Sequence, residues 1–244
     1  MARGIAGTDS SQPVTAHMVQ SAINFFGETP KYWGRYFKSP AGGPAEYRHK
    51  IEDPILSAAG IKVLPIAQQT KNVGENEQSG IAHARLNVTD FLLTFPRQHL
   101  VSLGGQFLMF LDVEGDPSVS VGFYTGWAQT LIEFSKSESN GDVTLLPGIY
   151  APQLNTTTWH ALAQAAANGV PCHGAWVARY PHGCHLQDFA PQFAIPKVAL
   201  PCDVLVWQYA ENCVNGDLDL NQTNPNIADI QTRFLDKLVL PPAA

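Results

Sequence analysis

Charge is scarce in this chain: charged residues make up 15% of its 244 positions, and the net charge is −6. Its lysines and arginines form no cluster, so neither a phosphate backbone nor an anionic membrane surface is an expected partner. Long hydrophobic runs are missing too, and no stretch approaches the roughly 20 apolar residues that span a bilayer. The amino terminus, Met1 to Asp9, has no charged region followed by an apolar block, so no secretory leader is expected in this chain. No Gly-x-Gly-x-x-Gly follows a first strand and no phosphate loop occurs, which argues against an open nucleotide-binding sheet and implies no cofactor. Internal repeats, low-complexity tracts and linker-like composition are absent. One domain over residues 1–240, with a short tail at 241–244, follows from these absences.

A hydrophobic share of 45% is enough for a full core. Apolar, β-rich runs recur near 4–9, 32–37, 61–67, 107–114, 145–151, 174–180, 203–209 and 217–221. Helical spacing fills most of the gaps, over 14–26, 75–95, 121–134, 157–167 and 227–238. Glu52-Asp53-Pro54 and 136–142 read as solvated turns, and 181–200 as a loop with at most a short helix. Eight strands alternating with helices predict a parallel sheet, and a length near 250 residues predicts its closure. The expected fold class is therefore α/β, an irregular (β/α)8 TIM-like barrel.

The run Phe107 to Glu114 ends abruptly in two carboxylates, Asp112 and Glu114, with Gly115 behind them. Positions i and i+2 of a strand share a face, so the two acids stand roughly 6 to 7 Å apart along the chain. At that separation they suppress one another's ionisation, which makes a general acid and an anionic partner from the same chemistry. A surface turn or helix cap is the plain alternative for a lone Asp-x-Glu, and a Mg or Ca site is another. Context favours catalysis: parallel barrels react at the carboxyl ends of their strands, where Asp9 and Asp219 join the pair. Arg35, Gln68, Tyr150, Trp176, Tyr180, Trp207 and Tyr209 are expected on the same rim, a lining of aromatic faces and polar groups suited to sugars. No histidine joins the acids at ligand spacing, so a divalent-metal phosphoesterase is disfavoured and no metal is expected.

Six segments occur in the order seen in the family 25 glycoside hydrolases, the muramidases of bacterial and phage origin. They are Gly7-Thr-Asp-Ser-Ser11, Phe110-Leu-Asp-Val-Glu114, Pro147-Gly-Ile-Tyr150, Ala175-Trp-Val-Ala-Arg-Tyr180, Val206-Trp-Gln-Tyr209 and Asp217-Leu-Asp-Leu-Asn221. Two others, Tyr32-Trp-Gly-Arg-Tyr36 and Ile61-Lys-Val-Leu-Pro-Ile66, more closely resemble the related glycoside-hydrolase-like domain of unknown function DUF1906. The resemblance implies a (β/α) barrel that cleaves the β-1,4 bond between N-acetylmuramic acid and N-acetylglucosamine. Glu114 then resembles the general acid, Asp112 the carboxylate that supports the acetamido group, and Asp9 and Asp219 the flanking acids. After Asp9 the chain lacks the aromatic wording usual in true muramidases, which leaves the exact glycan open. An inactive glycan-binding module is the alternative function.

Neighbours on one strand face are too far apart and too parallel for direct nucleophilic attack, so substrate-assisted hydrolysis with retention is expected. The expected partner is peptidoglycan or a similar N-acetylated polysaccharide, met at the bacterial cell wall after leaderless export or lysis. Cys172 and Cys202 precede adjacent strands, while Cys184 and Cys213 follow them. Disulfides, if formed, should join 172 to 202 and 184 to 213. Cys172-His173 and His182-x-Cys184-His185 flank one strand at opposite ends and are not expected to share a zinc ion.

Overall fold

The computed structural model describes residues 2–37, 46–68 and 71–243. Eight strands close into a barrel in chain order: β1 (Ala6–Asp9), β2 (Tyr32–Phe37), β3 (Lys62–Gln68), β4 (Gln106–Asp112), β5 (Thr144–Pro152), β6 (Ala175–Ala178), β7 (Val204–Cys213) and β8 (Leu218–Thr223). Around them lie α1 (Ala16–Phe26), α2 (His49–Ala59), α3 (Glu77–Thr94), α4 (Arg97–Ser102), α5 (Val121–Glu138), α6 (Thr156–Ala167), α7 (Pro191–Ala194) and α8 (Ile230–Arg233). The expected α/β barrel is thus the observed one.

Its irregularity lies at closure. Strands β1 to β7 are parallel neighbours, whereas β8 runs antiparallel to both β7 and β1. Only residues 214–217 separate β7 from β8, and a parallel crossover needs about a dozen or more residues, so a hairpin is the one solution available. Its turn holds Val214, Asn215 and Gly216 in the left-handed region, with φ of 52°, 66° and 87°. The Cys184–Cys213 disulfide ties this turn to the loop after β6. At the other end of the barrel Cys172 and Cys202 stand side by side without a bond between them.

Alternation along the strands builds two cores. The inner one, including Tyr32, Leu64, Ile66, Leu108, Phe110 and Trp176, fills the barrel, and Phe234, Leu235 and Leu238 plug it from below. The outer one packs Trp33, Phe37, Met109, Leu111 and Trp207 against the helices. All five tryptophans are essentially buried; each removes roughly 150–250 Å² from water, about 4–6 kcal/mol of transfer free energy. Helices α3, α5 and α6 begin at side-chain caps, Asn76 accepting from Ser79 N, Ser120 from Phe123 N and Asn155 from Thr158 N. Helices α3 and α5 approach backbone to backbone: a Cβ on Gly80 would stand 2.1 Å from the Phe123 carbonyl oxygen.

Three local expectations are corrected. Glu52-Asp53-Pro54 is no solvated turn; it lies inside α2 with Glu52 and Asp53 buried, because Glu52 answers the buried Arg35 and Asp53 accepts from the Tyr47 hydroxyl. Residues 227–238 do not form one helix. Asp229 at φ 60° and a turn at Phe234 break them into α8 and a 3-10 turn, which lets Phe234 swing under the barrel against Tyr32. Within 136–142, α5 continues to Glu138, and buried Ser139 then exchanges hydrogen bonds with Val143.

Candidate active site

Four carboxyl groups meet at the mouth formed by the carboxyl ends of the parallel strands. Asp9 and Asp112 are the last residues of β1 and β4, and Glu114 stands two residues further on. Asp219 is the second residue of β8, opposite Asp9 in register; in a parallel strand it would lie at the far end of the barrel. The reversal of β8 is what brings it to this rim.

Three of the acids sit low in the mouth and one stands out of it. Asp9 and Asp112 are buried and Asp219 is half-buried, whereas Glu114 reaches solvent. Asp9 Oδ2 accepts from Asn221 Nδ2 at 2.6 Å and from Gln208 Nε2 at 3.3 Å. Asp219 accepts from the backbone N of Asn212 at 2.8 Å and from Gln208 Nε2 at 3.1 Å. Asp112 differs, because its Oδ1 is buried without a hydrogen-bond partner.

Every one of these groups keeps its proton above the ordinary carboxylate range. Burial leads in each case, followed by Asp219 for Asp9, by Glu114 for Asp112, and by Asp219 and then Glu211 for Glu114. For Asp219 burial wins over the Asn212 hydrogen bond that favours its anion. Glu114 is also the most exposed of the four, so water screens its like-charge neighbours more than it does for the buried acids. Burial and like charge thus favour the protonated form of each acid, the form that can give a proton to a substrate beside it.

Around the acids the strands place what their parity dictates. Gln68, Asp112, Tyr150 and Trp176 are successive register partners and so share the inner face. Trp176 forms the floor, its ring 4.7 Å from Tyr150 and its Nε1 donating to Asn221 Oδ1 at 2.9 Å. Gly34 makes room for it, since a Cβ there would lie 2.6 Å from the Asp9 Cβ and 3.2 Å from the Trp176 ring. Tyr180, just past β6, donates to Gln208 Oε1 at 2.9 Å.

Three residues expected on the rim are elsewhere. Arg35 points out of the barrel, fully buried, with Nε 2.7 Å from Glu52 and Nη1 donating to the Ser10 carbonyl at 2.6 Å. Trp207 and Tyr209 belong to the outer core, where Trp207 donates to the Arg179 carbonyl at 3.1 Å and packs against Tyr209. The neighbours of these residues in sequence take the inward positions. Tyr36 faces the acids, its hydroxyl proton held by burial and by Asp112, Asp9, Glu114 and Asp219, and Gln208 bridges them. Gln208, Asn221 and Tyr36 stand in the motifs, but nothing in a single strand tells which of two adjacent residues faces inward.

Among the described residues no three or more His, Cys, Asp or Glu side chains are arranged to hold a metal ion. A cavity of about 480 Å³ lined by Arg3, Lys31, Lys62 and Leu235 lies at the opposite mouth, remote from the acids.

No protein-family model matches the chain, and no curated protein matches it in sequence. Solved structures do resemble it. An uncharacterized protein of B. stearothermophilus superposes with a TM-score of 0.71 at 24% identity, over 96% of this chain and 100% of that one. The catalytic domain of the endolysin ply40, from a bacteriophage of Listeria monocytogenes, gives 0.55 at 19% identity over 96% and 98%. The Tat-secreted protein Rv2525c of Mycobacterium tuberculosis gives 0.53 at 15% over 91% and 95%. At these identities the likeness concerns the fold: this chain is built on the barrel that an endolysin catalytic domain also uses.

Proposed function

We propose that the chain is a glycoside hydrolase that cleaves β-1,4 bonds in an N-acetylated glycan, peptidoglycan above all, in the manner of the family 25 muramidases and their DUF1906 relatives. The observation that carries this reading is the meeting of Asp9, Asp112, Glu114 and Asp219 at one mouth of the barrel, with Glu114 the most exposed of the four. The shared barrel of an endolysin catalytic domain is in keeping with it.

Glu114, protonated, gives its proton to the leaving glycosidic oxygen. The 2-acetamido oxygen attacks the anomeric carbon as that bond breaks, and Asp112, two residues before the acid, is the carboxylate assigned to support the acetamido group. Water then opens the cyclic intermediate while Glu114 takes its proton back, so configuration is retained. Burial leads in favouring the protonated form of Glu114, followed by the like charge of Asp219 and Glu211. The Cys184–Cys213 bridge suits an oxidising place of action, in keeping with the bacterial cell wall as the place where the substrate is met.

Purified sacculi, digested with wild type and Glu114→Gln and followed by mass spectrometry, test the assignment. Wild type should release fragments with new reducing ends, and the variant should lose this by a factor of 10² or more, the scale of general acid catalysis, with its thermal midpoint preserved. Equal release by the two proteins would remove Glu114 from the role. Titration calorimetry that finds glycan bound, with no product from wild type, would make the domain a binding module.

A further inference from the structure

The reversal of β8 leaves its mark on the outside of the barrel as well. A parallel crossover lays a helix over the strands it joins, and the β7–β8 hairpin lays none, so loop and chain end cover the outer face around β8 and β1 instead. The loop after β6 is held there by its backbone: Phe189 N donates to the Ala2 carbonyl at 3.2 Å, and the Gln187 carbonyl accepts from Gln222 Nε2 at 3.1 Å. Where cover and strands meet is a pocket of about 250 Å³. Leu186 and Gln187 of the loop line it, with Ala6, Tyr209 and Gln222 of the strands and Phe26 at the end of α1. Arg3 and Glu28 line it too, and none of the four acids of the mouth does.

Gln187 says what the pocket would take. The residue is 8% exposed, and its Oε1 is buried without a hydrogen-bond partner. The amide cannot simply turn over, because its Nε2 donates to the Gly183 carbonyl at 3.2 Å and an oxygen there would face an oxygen. Buried acceptors in folded proteins are nearly always paired, since an unpaired one keeps its full desolvation penalty. A donor on a ligand in the pocket would answer it. Around the same pocket the Arg3 guanidinium and the Tyr209 hydroxyl can donate, and the Glu28 carboxylate can accept. Arg3 and Glu28 carry opposite charges, so the pocket selects no net charge. Phe26, Leu186 and Ala6 add apolar surface. Pockets for drug-sized ligands hold about 300–1,000 Å³, so this one is sized for a single small ring. Sugar hydroxyls both donate and accept, and the C–H face of the ring suits apolar and aromatic walls. We propose that this pocket is a second saccharide site, which takes one pyranose ring on the flank of the barrel. It goes beyond the hydrolase reading and does not depend on it.

N-acetylglucosamine, which has no glycosidic bond to cleave, is the probe, and amide NMR of the whole chain is the readout. The side-chain amide of Gln187 reports the pocket, and the indole N–H of Trp176 reports the mouth. In wild type the Gln187 signal should move and saturate in a titration to about 20 mM, well past the Kd of about 1 mM expected for so small a ligand. Gln187→Leu keeps much of the side chain's bulk and removes the acceptor, and Arg3→Ala removes an exposed donor. Each should weaken binding about fivefold, read in Gln187→Leu from the Leu186 amide. A Gln187 signal that stays still in wild type, or an affinity unchanged in Arg3→Ala, overturns the proposal. Arg3→Ala decides alone if Gln187→Leu does not fold. Free alanine in place of the sugar should leave the signal unmoved; a shift with alanine and none with the sugar would overturn the saccharide assignment. Product from sacculi with a still Gln187 signal would sink this site only, and a moving Gln187 signal without product would sink the hydrolase reading only.

Discussion

Glu52→Gln tests the least visible part of the site's support. Both Arg35 and Glu52 have fully buried side chains, and the Glu52 carboxylate accepts four hydrogen bonds: Arg35 Nε at 2.7 Å, Arg35 Nη2 at 3.1 Å, Arg48 N at 2.7 Å and Val14 N at 3.0 Å. Every partner is a donor. An amide in place of the carboxylate therefore points an N–H2 at two donors and leaves the guanidinium buried without a counter-charge. Removing one partner of a buried pair costs about 3–5 kcal/mol. In a domain of this length each kcal/mol shifts the thermal midpoint by roughly 2–4 °C, so a fall of about 6–20 °C is expected. Calorimetry or circular dichroism measures it. Arg35→Lys should fall between the two proteins, since an ammonium keeps the charge but not the fork of donors. Arg35 also holds the carbonyl of Ser10, the residue after Asp9, so turnover should drop in both variants even below their melting range. A loss of less than about 3 °C in Glu52→Gln would refute the reasoning, because it would mean that the pair is solvated or replaceable.

The raised acids make a prediction about pH. An acid with a raised folded-state pKa binds more protons folded than unfolded, so its stability contribution is full below the unfolded value, near 4, and is lost as pH rises through the folded one. Asp112→Asn should therefore raise the thermal midpoint at pH 7, with the gain fading towards pH 4; a variant no more stable than wild type at neutral pH would contradict the strain assigned to Asp112. Cys184→Ser with Cys213→Ser opens a loop whose ends are 29 residues apart, a loss of about 3–4 kcal/mol in the chain-entropy picture, measurable by urea unfolding without reductant. Because the same turn holds Asn212 N against Asp219, activity should fall as well, and a loss of stability under about 1 kcal/mol would show the turn to be held by other means. Gly80→Ala should destabilise by about 1–3 kcal/mol, against the gain of about 1 kcal/mol that alanine usually brings to a helix; a net gain would mean that α3 can retreat from α5 at no cost.

Much of the barrel was legible because its physics is local. A buried parallel strand needs an apolar run, a helix needs a stripe and a cap, and both signals lie within a few neighbouring residues. The run ending in Asp112 and the acids at strand ends belong to this class. Glu52 was illegible for the opposite reason. Its partner, Arg35, is 17 positions away, and a charged triplet containing a proline looks alike in water and in a core until that partner is placed. The short link between β7 and β8 did carry a local signal, since so few residues cannot make a parallel crossover.

From the amino acids alone come the candidate acids and the class of fold that would gather them, because these depend on composition and on spacing along one strand. Tertiary structure decided which groups actually face one another. Period-two alternation offers two faces and prefers neither, so Gln208 rather than Trp207 or Tyr209, and Tyr36 rather than Arg35, turn inward only through the register that neighbouring strands impose. Asp219 reaches its companions for the same kind of reason: the direction of β8 is a property of the closed sheet, and a carboxylate near a strand's beginning joins those at strand ends only when that strand runs backwards.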